Sequence, residues 1–321
     1  MTIAVAVPDL WSGRRVSYGR GAARQNQAAA KVSGTFWTAN AKYHQRTAQG
    51  GHGFRPRGRS RMNPAFERYV GIDYSGAQTP TSSLKGVRVY AADCLTGPHE
   101  VKPPRSPRKH WTRRGVAEWL TERLSEGPRT LAGIDHGFSF PLRYFEQREL
   151  PLDWPSFLDD FQRHWPTDED IYVDFVREGI AGNAAARSGN SRWRRVTEVR
   201  ARKAKSVFHF DVQGSVAKST HAGIPWLRYI RRKAKDRVHF WPFDGWNVPP
   251  DRSVVAEIYP ALWIRTFPSL GRTPDQQAAY AAAEWLRRAD CDGSLEKFLR
   301  PKLEPHERKA AEIEGWILGV L

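Results

Sequence analysis

Two stretches decide the fold: RYVGIDYSG at residues 68–76 and TLAGIDHGFSFP at residues 130–141. Each is an apolar run of strand length that reaches Gly-Ile-Asp and then breaks into turn-forming residues. Such runs suit strands covered on both faces, as in parallel sheets flanked by helices. Each run puts an aspartate, Asp73 or Asp135, at the carboxyl end of its strand, the edge where open α/β sheets bind ligands. If the strands are parallel neighbours, the two carboxylates stand side by side and repel unless a proton or cation lies between them. A hard divalent ion satisfies them, since Mg²⁺ takes one or two carboxylates together with water and substrate phosphate. The plainer alternative is that each Asp caps a turn or the next helix.

Working outward, residues 85–94 alternate as a second strand and residues 95–101 return as a third. Val116, Trp119, Leu120 and Leu124 recur at helical spacing and predict a helix over 114–124. Residues 155–178 read as two helices separated near Trp165–Pro166, and residues 179–205 as a long loop. SVVAEIYPAL (253–262) is a further strand that carries Glu257, with helices expected at 274–289 and 304–321. A strand meander followed by alternating helices and strands predicts α/β layering around a mixed sheet. Glu257 is a candidate site residue, or else a strand-end carboxylate paired with one of the many arginines. In the final helix Glu314 borders the apolar run GWILGV and is the carboxylate best placed to reach the site, although a solvated acidic face is the ordinary reading of Glu307, Glu312 and Glu314.

These segments together (VGIDYSGA, LAGIDHGFSFP, AEIYPALW and a carboxylate-bearing last helix) resemble the ribonuclease H-like fold. More narrowly, they resemble the predicted RNase H-like nucleases grouped as domain of unknown function 429. The resemblance covers about Tyr69 to Leu321. It implies a three-layer fold with a mixed sheet flanked by helices, with Asp73, Asp135 and Glu314 as metal ligands and Glu257 joining them in catalysis. Mg²⁺ or Mn²⁺ is the implied cofactor. The chain departs from the family pattern at Ala310 and Ala311, where an acidic pair would stand, and at His136, which follows Asp135. His136 is thereby a candidate base.

The formal charge of +17 invites a polyanionic partner. Residues 1–61 hold eleven basic residues and one acid, a net +10, which leaves +7 for the remainder. They show no periodicity and predict a disordered basic leader, either an arm that tracks phosphates or translated sequence upstream of a start at Met62. The domain proper is expected over 62–321 with a basic insert at about 179–240. In that insert Arg192, Trp193, Arg194, Arg195, Lys203, Lys205 and Lys218 interleave charge with an aromatic, as a nucleic-acid channel requires, or else form a solvated basic face. QGSVAKST (213–220) lacks both glycines of a phosphate-binding loop, having Val212 and Ala217 in their places, so it is not one.

Cys94 and Cys291, the two cysteines, show neither metal-ligand spacing nor a disulfide framework. No apolar run approaches the ~18–20 residues of a membrane helix, and a cytoplasmic protein without a membrane partner is expected. Three functions fit: a metal-dependent phosphodiester hydrolase, a catalytically degenerate nucleic-acid-binding relative, and a nucleotide-handling relative of the actin-like branch.

Overall fold

The computed structural model describes residues 64–105 and 107–321. The expected leader over 1–61 lies outside the described residues.

In chain order the elements are β1 (Arg68–Asp73), β2 (Arg88–Asp93), β3 (His99–Glu100), α1 (Arg113–Ser125), β4 (Thr130–Asp135), α2 (Leu142–Gln147), α3 (Trp154–His164), α4 (Val173–Arg177), α5 (Val196–Arg200), α6 (Ala217–Ala234), β5 (Val238–Trp241), β6 (Ser253–Ile258), α7 (Pro274–Cys291), α8 (Leu295–Leu299), α9 (Pro305–Glu314) and β7 (Ile317–Leu318). One mixed sheet runs β3-β2-β1-β4-β6-β5, and β7 continues the β5 edge of β6. The first three strands form an antiparallel meander, while β1, β4, β6 and β5 are parallel. The two Gly-Ile-Asp strands are neighbours in perfect register: Gly71 faces Gly133, Ile72 faces Ile134 and Asp73 faces Asp135.

Strand side chains alternate between faces, and that alternation divides the core. Val70, Ile72, Ala132 and Ile134 pack beneath α1, α3 and α6, against Val116, Leu120, Phe157, Phe161 and Leu227. Tyr69, Leu131, Val254 and Ala256 point the other way, to α7 and α8. Helices therefore cover both faces of the sheet. Local signals start them where they begin. The Thr112 side chain accepts from the Gly115 N–H for α1, Asp153 accepts from the Ser156 N–H for α3, and Thr273 and Gln276 form a reciprocal cap ahead of Pro274 for α7.

The α7 helix sits unusually close to the sheet and runs antiparallel to β1. Asp290 meets Tyr69 at one end, and Ala279 and Ala283 cover Gly71 in the middle. A Cβ on Gly71 would lie 2.3 Å from the Ala279 carbonyl oxygen and 2.5 Å from the Ala283 nitrogen, both backbone atoms that cannot swing aside. Gly71→Ala is expected to destabilise the chain by about 2–3 kcal/mol, the cost of overpacking against fixed backbone. A denaturant midpoint unchanged from the parent would refute this account of the first Gly-Ile-Asp glycine.

Four sequence expectations change here. The final helix stops at Glu314, because Gly315 turns at φ 79° and the apolar run after it becomes β7, paired with β6. The expected third strand shrinks to His99–Glu100. Residues 179–205, expected as a long loop, contain α5 and a short helical turn at Ala184–Arg187. The "insert" at 179–240 also supplies α6, which buries Ile224, Leu227 and Ile230, and β5, a fully buried strand of the sheet. Much of it is core.

Candidate functional site

At the carboxyl edge of β1, β4 and β6 lies a cavity of about 250 Å³. Its floor carries Asp73, Asp135 and Glu257, and its walls include Lys203, Lys205, Ser215, Ser219 and Tyr259. Asp73 and Asp135 come from register-matched positions of adjacent strands, so the fold itself brings them together. Asp73 is buried. Burial, then the neighbouring charges of Asp135 and Asp275, push its pKa well above the ordinary carboxylate range, with Arg88 opposing. Asp135 is half-buried and opens onto the cavity, yet it is hemmed in closely enough that burial, followed by Glu257, raises its pKa to about 7. This is the electrostatic signature of paired carboxylates that lack an adequate counter-charge.

Asp275 carries no sequence mark that distinguishes it from other helix-start acids. It occupies the first turn of α7, and the antiparallel course of that helix over β1 carries it close enough to raise the pKa of Asp73. The available signal was an acidic residue two positions after the cap of a strong helix, but such residues are common at helix starts for dipole reasons alone.

Glu257 and Glu314 do not behave as free ligands. The Arg195 guanidinium grips both oxygens of Glu257 at 2.6 Å each, and the Phe138 N–H donates to Oε2 at 3.1 Å. The same guanidinium donates to Glu198 at 2.9 Å, and all three side chains are almost completely buried. Burial opposes the charge on Arg195, but Glu257 and Glu198 together raise its pKa above the ordinary arginine value. Glu314 lies outside the cavity lining. Its Oε1 accepts from the Leu142 N–H at 2.6 Å and its Oε2 from the Val196 N–H at 2.7 Å, so one carboxylate holds the first turns of both α2 and α5. Glu314, expected as a metal ligand, instead commits both oxygens to backbone N–H groups away from the cavity. The early end of the last helix directs its carboxylate to two helix starts.

The basic residues are divided in the same way. Lys203 is exposed and Lys205 half-buried, both on the cavity wall, with the Lys205 ammonium donating to the Gln213 carbonyl at 2.7 Å. Lys218 forms an ion pair with Asp174 at 2.7 Å, and Arg194 is exposed but donates to the Ala204 carbonyl at 2.8 Å. Trp193 packs edge-on to Phe208 and beneath Arg143, while Arg192 is exposed. Arg195, expected at a nucleic-acid surface, is instead a buried structural ion. His136 is buried too, with Nδ1 against the Gly137 carbonyl, and burial lowers its pKa to about 4. Its ring fills the space a Cβ on Gly223 would occupy, which fixes it against α6.

Among the described residues no group of three His, Cys, Asp or Glu side chains stands ready to hold a metal ion. The donor set is the aspartate pair with Asp275 nearby, which suits an ion that keeps much of its water and takes further oxygens from substrate. No helix among the described residues is long and apolar enough to cross a membrane. No protein-family model, no curated protein and no solved structure matches the chain.

Proposed function

We propose that the chain is a divalent-metal-dependent phosphodiester hydrolase of ribonuclease H-like architecture, related to the predicted nucleases its motifs resemble, and that it cuts nucleic acid in the cytoplasm. The observation that carries this reading is the register match of Asp73 and Asp135 at the carboxyl edge of two parallel strands, with both carboxyl pKa values raised. The meander-then-parallel strand order supports the architecture.

In this reading Asp73 and Asp135 hold Mg²⁺ or Mn²⁺. The bound ion supplies an activated water and offsets charge on the phosphoryl oxygens. Lys203 and Lys205 draw the phosphate backbone to the cavity, and Ser215, whose oxygen accepts from the Ala217 N–H at the start of the 18-residue α6, offers its hydroxyl proton at a helix end that favours anions. Arg195 grips both oxygens of Glu257 and holds it away from the metal, so Glu257 acts on Asp135 through its neighbouring charge without binding the ion.

The test is incubation of the full chain with labelled single- and double-stranded DNA, RNA and hybrid, with Mg²⁺, Mn²⁺ or EDTA. Cleavage with metal and none with EDTA is the expected result. The second reading, a nucleic-acid-binding scaffold without catalysis, is favoured by the lack of a three-ligand group among the described residues and by the engagement of Glu257 and Glu314 elsewhere. No cleavage under any condition, with salt-sensitive binding that survives Asp73→Ala, would replace the first reading with the second.

A further inference from the structure

The two cysteines of the chain, 197 residues apart in sequence, meet in space with their sulfurs 3.4 Å apart. Cys94 stands one residue past β2, Cys291 closes α7, and both are half-buried free thiols. Their surroundings are well organised. The Tyr69 hydroxyl lies 3.2 Å from the Cys94 sulfur and 2.8 Å from Asp290 Oδ2. Asp290 in turn accepts from the Phe66 N–H at 2.8 Å, so the start of the described chain, β1 and the end of α7 converge on the thiol pair. Nothing in the proposed hydrolysis uses this cluster, which lies at the opposite end of α7 from Asp275.

We propose that Cys94 and Cys291 are a modification site: a vicinal thiol pair that closes to an intramolecular disulfide when the chain meets a peroxide. One thiolate attacks a peroxide oxygen, the O–O bond breaks, and a sulfenic acid forms as hydroxide leaves. The second thiolate attacks that sulfur, the S–S bond forms, the S–O bond breaks, and hydroxide leaves again. Two protons from the thiols convert both hydroxides to water. Each sulfur loses one electron and the peroxide gains two. Closing from 3.4 Å to a bonded ~2.05 Å asks little of two side chains already in contact.

Two consequences follow from position. The bond would close a very long loop and tie α7 to the sheet, which restricts the unfolded chain and raises thermal stability. The reaction would also be slow near neutral pH and faster in alkali. Burial, with the Cys94 contact adding to it, pushes the Cys291 thiol up to about 11, and the thiolate is the reactive form.

The experiment treats the full chain with hydrogen peroxide, alkylates remaining thiols and maps peptides, with melting measured before and after a dithiol reductant. The expected product is one peptide pair linked through Cys94 and Cys291, with a melting temperature raised by about 5 °C and restored by reductant. Cys291→Ser should abolish that rise. Independent alkylation or overoxidation of both cysteines, or a disulfide found only between chains, would overturn the proposal. So would a peroxide-induced rise that persists in Cys291→Ser. Because the reductant reversal is read on the parent chain, the test stands even if the variant fails to fold.

Discussion

Asp135→Asn is expected to make the metal-free chain more stable at pH 8 while reducing the proposed cleavage by at least about 10³-fold. The two effects have one cause. In the folded chain the Asp135 carboxyl titrates near 7, far above its ordinary value, because burial and Glu257 disfavour its charge. A carboxyl whose pKa is raised on folding binds its proton more tightly in the native state. Its stabilising contribution is therefore present below about pH 4 and disappears as the pH climbs through about 7. At pH 8 the ionised group is a burden of about 2–4 kcal/mol, which a neutral amide of the same shape removes. Denaturant midpoints at pH 5 and pH 8 check the sign: the advantage of the variant should be larger at pH 8. Asp73→Asn should behave alike, since its pKa is raised by burial, Asp135 and Asp275. Adding Mn²⁺ at pH 8 should stabilise the parent and neither variant. A variant less stable than the parent at pH 8 would show that the aspartates are structural caps, the plainer alternative.

The aspartate pair was legible in sequence because a repeated local pattern, Gly-Ile-Asp at the end of an apolar strand, maps directly onto register in a parallel sheet. The glycines were legible only as lead-in, and their reason is tertiary. Gly71 admits the backbone of α7, while a Cβ on Gly133 would strike the Ile258 side chain at 2.7 Å. The long α6 escaped detection because Gly223 and Pro225 interrupt its middle, and both argue locally against a helix. Packing overrides them: both residues are buried, and the helix contributes Ile224, Leu227 and Ile230 to the core. Four-residue β5 is too short to show a period at all. Site residues that depend on chain-distant partners were the least readable. Nothing near Glu314 in sequence announces that Leu142 and Val196 will claim its two oxygens, and nothing near Asp275 announces Asp73.

Arg195 carries the second large effect. It is 1% exposed and satisfies Glu257 and Glu198 at once, so it joins the segment before α5 to the interior strand β6 at the lining of the cavity. Buried ion pairs of this kind give little net stability when compared with apolar replacements of equal volume. Removing a single partner is different, because it strands the opposite charges away from water. Arg195→Met should therefore cost about 3–5 kcal/mol. The strain should fall on Asp135, already raised by Glu257, so the carboxyl pair would lose its remaining organisation along with stability. Pairing the change with Glu257→Gln removes one stranded charge and should recover a measurable part of the loss, leaving Glu198 unpaired. A double variant no more stable than Arg195→Met would mean that Arg195 acts through Glu198, 2.9 Å away, or the Glu314 carbonyl, 3.2 Å away, rather than through Glu257. Recovery would make Arg195 the residue that lets a third carboxylate stand beside the aspartate pair without competing for the ion proposed there.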